Sequence, residues 1–211
     1  MYLFSRRTRL VGGNGTAGLE WATAIAEKVT AVTGHEVQLW ATVYSPAYGT
    51  ISWTAWFTDL ASVEKADDAM NGDAEMTKLG DLGAKFTDGS LDDAIFQPIY
   101  GTPDPAREIQ YVGSVAAVAA SGNIERALGF GVEVAEKVEA ITGMTCLFAQ
   151  ALSGPYGSVG WLTAYDNVAA MDSAQSAMAA DTGFLKLIDS SAGYFVEDPS
   201  ITQQTFHRRL A

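Results

Sequence analysis

Few side chains in this sequence are equipped for chemistry, and most of those are aromatic or cationic. Two tyrosines stand in matching turns, Tyr48 in Ser-Pro-Ala-Tyr-Gly and Tyr156 in Ser-Gly-Pro-Tyr-Gly, and a tryptophan follows each, Trp53 and Trp161. Large aromatic rings of this kind either anchor a core or wall an apolar pocket, and the sequence leaves both readings open. Arg7 and Arg9 belong to a basic run, Ser5-Arg6-Arg7-Thr8-Arg9, whose later counterpart is Ser114-Val115-Ala116-Ala117-Val118. Strand alternation puts Arg7 and Arg9 on one face and Arg6 on the other. Guanidinium groups in such positions must meet carboxylates, solvent or an anionic ligand. If the first and last strands adjoin, these arginines join His207, Arg208 and Arg209 in one positive patch, a mouth for an anionic ligand.

Other chemistry has little to build on. The two histidines, His35 and His207, are far apart and lack carboxylates at ligand spacing, so no metal site is expected. Each reads as a solvated or rim residue, and no Ser/His/Asp set emerges. Cys146 sits in an apolar run, Thr-Cys-Leu-Phe-Ala, as a small buried hydrophobe would. Gly12-Gly13-Asn14-Gly15 follows a strand, but its spacing fits neither a dinucleotide fingerprint nor a phosphate loop. With 13 Lys and Arg against 25 Asp and Glu, the formal charge of −12 disfavours nucleic acid and anionic membranes as partners. A single cysteine allows no intrachain disulfide, and no apolar run approaches a membrane span. These features point to a cytoplasmic protein.

The elements that must position these residues occur twice. Tyr2 and Ser5 match Tyr111 and Ser114, Ala26-Glu27-Lys28-Val29 matches Ala135-Glu136-Lys137-Val138, and Thr33-Gly34 matches Thr142-Gly143. A one-residue slip placed near His35 then aligns Trp53 with Trp161, Met70 with Met178 and Asp73 with Asp181. On this alignment Trp40 faces Phe148 and Trp56 faces Ala164. Residues 19–33 and 124–142 carry apolar side chains at helical spacing before Gly34 and Gly143, with Asn123 expected as an N-cap. Two β-rich runs, 37–44 and 50–57, form a hairpin. Helices follow at 60–72 and 74–83, again at 167–180 and 182–190, and strands at 2–11, 93–100, 110–119 and 201–208 complete two β-α-β-β-α-β units. The predicted fold class is α+β, two tandem ferredoxin-like repeats, 1–105 and 106–211, packed as a pseudo-twofold α+β barrel in which each repeat covers the other's bare sheet face.

Element order, duplication and the third-strand tryptophans resemble the dimeric α+β barrel superfamily, which includes proteins like the antibiotic-biosynthesis monooxygenases and the NIPSNAP proteins. The resemblance implies a cofactor-independent monooxygenase-like enzyme that desolvates an aromatic or polyketide-type molecule in a barrel pocket. On that reading Trp53, Trp161, Tyr48 and Tyr156 line or gate the pocket, and Arg7 or Arg9 stabilises a phenolate or enolate. The alternative is a non-catalytic protein that binds a small aromatic or anionic molecule. In either case the chain is an intrachain pseudo-dimer, and further homo-oligomerisation stays open.

Overall fold

The computed structural model of the protein describes residues 1–12, 15–104 and 107–211. Gly13 and Asn14 of the glycine-rich turn, and Pro105 and Ala106 at the expected repeat boundary, lie outside the described residues. The chain divides into two compact units: unit 1 holds Met1–Phe96 and Arg208–Ala211, and unit 2 holds Gln97–His207.

Unit 1 contains β1 (Tyr2–Arg9), α1 (Gly15–Thr33), β2 (Val37–Val43), β3 (Thr50–Phe57), α2 (Leu60–Asn71), α3 (Ala74–Leu82) and the first part of β4 (Asp92–Tyr100). Its strands run in the order β4-β1-β3-β2, all neighbours antiparallel. Unit 2 repeats the sequence of elements with β5 (Tyr111–Val118), α4 (Ile124–Thr142), β6 (Cys146–Ala151), β7 (Ser158–Tyr165), α5 (Val168–Ala180), α6 (Thr182–Asp189) and the first part of β8 (Gln203–Arg209). Its strand order is β8-β5-β7-β6.

In each unit one sheet face packs against that unit's helices. Ala22, Ile25 and Ala26 of α1 lie on Leu39, Ile51 and Trp53. Phe130, Val134, Ala135 and Val138 of α4 lie on Cys146, Phe148, Val159 and Trp161. Gly34 and Gly143 follow α1 and α4 with φ of 75° and 67°, the left-handed turn that ends a helix without a Cβ clash. Asn123 does not cap α4 with its side chain. Its backbone carbonyl takes the first helical bond from Ala127, while its side-chain Nδ2 donates to the Gly193 carbonyl.

The strand register also moves the slip in the alignment of the two units. Leu39 pairs with Trp53 and Phe148 pairs with Trp161, so Phe148 corresponds to Leu39, and Trp40 corresponds to Ala149. The offset therefore changes in the hairpin turn and not near His35. A one-residue shift reverses the face of every side chain in a strand. Phe148 belongs to the helix-side core, whereas Trp40 lies on the opposite face and donates its Nε1–H to Thr54 Oγ1 at 3.0 Å.

The third helix of each unit, α3 and α6, is pinned alike. Asp73 accepts from the Met76 amide at 2.8 Å and lies 3.0 Å from Lys28 Nζ; Asp181 accepts from the Phe184 amide at 2.7 Å and lies 3.2 Å from Lys137 Nζ. In both, the amide bond, followed by the lysine, holds the carboxyl below its ordinary pKa. A depressed folded-state pKa contributes stability that is present above the unfolded value of about 4 and is lost as pH falls through the folded value. Thermal midpoints should therefore fall on acidification below about pH 4. The Asp73→Asn, Asp181→Asn variant, which keeps the capping oxygens but not the charges, should show a shallower fall. An unchanged acid slope would mean that these caps do not set it.

Candidate ligand pocket

A cavity of about 320 Å³ lies inside unit 2, between the sheet and helices α4, α5 and α6. Its floor is Gly113 and Val115 of β5 with Trp161, Thr163 and Tyr165 of β7, residues that alternate onto the helix side of the sheet. Phe130, Val134 and Val138 wall it from α4, and Met178 and Phe184 from α5 and α6. Leu185 and Ile188 border it yet are 47% and 39% exposed, so they mark its mouth. A dry cavity of about 150 Å³ holds a benzene ring; this one has room for a fused-ring molecule.

The polar groups gather at one end. Gln175 of α5 donates from Nε2 to the Tyr165 hydroxyl oxygen at 3.3 Å, and Thr163 Oγ1 contacts Cys146 Sγ at 3.6 Å. Burial raises the Tyr165 phenol pKa, with its hydrogen-bond partners pulling the other way, so the group stays protonated near neutral pH. Burial likewise pushes the Cys146 thiol up to about 11, which keeps it from acting as a thiolate nucleophile. Among the described lining residues there is no Asp, Glu, Lys, Arg or His.

Of the residues expected from the sequence to line or gate a pocket, Trp161 alone lines this cavity. It is 8% exposed and donates Nε1–H to the Gly131 carbonyl at 2.8 Å, with Phe148 stacked 4.9 Å away. Trp53 is the matching anchor in unit 1, 6% exposed and bonded to the Ala22 carbonyl at 2.9 Å. Each tryptophan faces its own unit's helices, so the two do not share one pocket. Tyr48 and Tyr156 are 75% and 87% exposed in their turns and gate nothing in this cavity.

The arginines are placed differently from one another. Arg6, on the helix side of the unit 1 sheet, makes a two-pronged bond to Asp93 at 2.7 Å. Arg7 and Arg9 are exposed on the other face, Arg7 in register with Asp92 and Arg9 near Asp88, whose carboxyl is held below its ordinary pKa first by hydrogen bonds from Ser90 and to a lesser extent by Arg9. The single basic patch does not form as expected. β1 lies between β3 and β4, whereas Arg209 pairs with Glu36 at 3.2 Å beside β2. His207, expected at a rim, instead has Nε2 within 3.1 Å of both Ser114 Oγ and Thr205 Oγ1 in unit 2. His35 stacks on Phe57 with ring centres 4.4 Å apart. Sequence reasoning missed Tyr165, Thr163 and Gln175. The available signal was that each differs in polarity or charge from its counterpart, Phe57, Ala55 and Asp67.

Known structures resemble the chain from end to end. A protein from Fusobacterium nucleatum that carries a provisional monooxygenase name matches at a TM-score of 0.74 and 10% identity, covering 100% of this chain and 92% of that one. The chain has an α+β barrel fold. An anthrone oxidase-like protein shares this α+β barrel fold at a TM-score of 0.65 and 11% identity, covering 100% of this chain and 91% of that one. So does a similarly named protein from Lactobacillus acidophilus, at 0.66 and 10%, covering 99% and 93%. No family model and no curated protein matches the sequence. No helix among the described residues is long and apolar enough to cross a membrane.

Proposed function

We propose that unit 2 binds an aromatic or polyketide-type molecule in its sheet–helix cavity and oxidises it with molecular oxygen, without a cofactor, as an anthrone-type oxygenase. The observation that carries this reading is the joining of an apolar chamber to a protonated donor, Tyr165, at one end. An anthrone-like ring system becomes reactive toward oxygen when its carbonyl takes up negative charge. A neutral phenol held in a desolvated site stabilises that oxyanion. Gln175 orients Tyr165 by bonding its oxygen, which leaves the phenolic hydrogen for the ligand. The ring CH₂ becomes C=O, one atom of O₂ enters the product, and the other leaves as water with the two hydrogens. The substrate supplies all four electrons. The neighbours named for monooxygenase and anthrone oxidase chemistry support the same class.

An oxygen electrode with anthrone as substrate tests the proposal. The protein should consume one O₂ per anthraquinone formed, at a rate above buffer. Tyr165→Phe should lower kcat by about 100-fold, the scale of losing one oxyanion donor, and weaken anthrone binding by much less than that. A second reading, binding without turnover, is favoured by the absence of any base among the described lining residues, since the substrate proton must then pass to water at the mouth. Anthrone that binds but reacts no faster than in buffer would establish this second reading and overturn the first.

A further inference from the structure

The two units carry different residues at the positions around the cavity, and the difference has a direction. In unit 1 the helix side of the sheet holds Phe4 edge-on to Phe57, with ring centres 6.4 Å apart. The Arg6 guanidinium lies 5.7 Å from the Phe4 ring centre and bonds to Asp93; Asp67 of α2 adds to the field that raises the Arg6 pKa, of which the Asp93 bond is the largest part. By strand register the equivalent positions in unit 2 are Gly113 for Phe4 and Val115 for Arg6; Gln175 stands for Asp67, and Gln204 stands for Asp93, because its neighbour Thr205 meets Ser114 at 2.6 Å where Ala94 pairs with Ser5. Every ionised group has become neutral, and all four replacements line the cavity. Phe206, standing where unit 1 has Ile95, takes back part of the volume that Phe4 would fill, and its ring lies close to Gly113. The charged set has been removed and the space beside it left open.

We infer that the unit 2 pocket selects uncharged fused-ring ligands bearing a hydroxyl or carbonyl oxygen, and that Val115, Gln175 and Gln204 set this selectivity, by neutralising the ionic cluster that occupies the same place in unit 1. This rests on the pocket assignment made under Proposed function and adds the charge class of the ligand. An ionised carboxylate entering this chamber would lose its water without meeting a cation among the described lining residues, and a buried unpaired charge is strongly disfavoured. A neutral hydroxyl or carbonyl would bond to Tyr165, Thr163 or Gln175. The apolar rings would cover Trp161, Val134 and Val138.

The test is calorimetric titration of the full chain at neutral pH with two probes of one shape, 2-naphthol and 2-naphthoate. 2-Naphthol should bind at least about 30-fold more tightly, as expected when one ligand must bury an unpaired charge. Val115→Arg with Gln204→Asp recreates the pair that unit 1 already accommodates, and should reduce 2-naphthol affinity by about 10-fold or more through lost volume and added polarity. Gln175→Asp alone, on a partly exposed helix position, should act in the same direction, and a melting curve on each variant separates loss of binding from loss of fold. Equal binding of the two probes would overturn the selectivity and leave the pocket standing. Absence of binding by either probe up to its solubility would overturn both.

Discussion

Gly131→Ala should be among the most damaging single-methyl additions in the protein, costing about 3 kcal/mol or more, the upper end of overpacking penalties. A Cβ built on Gly131 would overlap the tip of the Phe148 ring at Cζ, and Phe148 is fully buried. Phe148 is itself held against Trp161 and cannot swing away. Unit 1 solves the same contact with the opposite pair, Ala22 on the helix and Leu39 on the strand, both fully buried. The helix gives up a methyl where the strand takes on a ring. Gly131→Ala combined with Phe148→Leu rebuilds the unit 1 pair and should recover more than half of the loss in a denaturant titration. If the double variant is less stable than the single, the two positions are not coupled as the packing requires.

Trp161→Ala should cost about 3–5 kcal/mol, the range for deleting a buried aromatic side chain. It removes the ring that Phe148 and Phe195 pack on and leaves the Gly131 carbonyl without its indole donor. Trp53→Ala should cost a similar amount, because Trp53 makes the matching bond to Ala22 and meets Trp21 edge-on at 5.6 Å. The two variants should part company in binding. Only Trp161 lines the cavity, so Trp161→Phe, which keeps a ring and loses the hydrogen bond, should alter affinity for a fused-ring ligand, while Trp53→Phe should not. Equal effects of the two phenylalanine variants on binding would contradict the assignment of the pocket to unit 2.

Much of the architecture is visible in the residues themselves. Helix α4 occupies 124–142 as its apolar spacing and Gly143 require, and the hairpin strands fall within a residue of their expected ends. Alternation also separates the faces of β1 correctly, with Arg6 on one side of the sheet and Arg7 and Arg9 exposed on the other. The register between copies was harder to read. The offset changes inside a turn, where backbone geometry rather than an apolar pattern fixes the residue count, so Trp40 was matched to the wrong partner. The pocket was harder still, for the same reason. Reading it requires knowing that Gly113, Val115, Gln175 and Gln204 stand where Phe4, Arg6, Asp67 and Asp93 stand, and three of these four pairs lie on strands whose cross-strand neighbours are remote in sequence. The exposed tyrosines drew attention because tyrosine in a conspicuous motif resembles a working residue; a turn exposes it for lack of neighbours. His207 illustrates the converse, since its hydroxyl partners Ser114 and Thr205 come from another strand and from two positions earlier on its own.

The position of a bound fused-ring ligand decides whether the unit 2 cavity is the working site. A crystal structure of the full chain with anthrone bound is the most direct measurement. Anthrone should lie between the unit 2 sheet and helices α4–α6, its rings against Trp161 and its oxygen within hydrogen-bond distance of the Tyr165 hydroxyl. Anthrone bound at the face of β1 beside Arg7 and Arg9, with the cavity beside Trp161 empty, would contradict it.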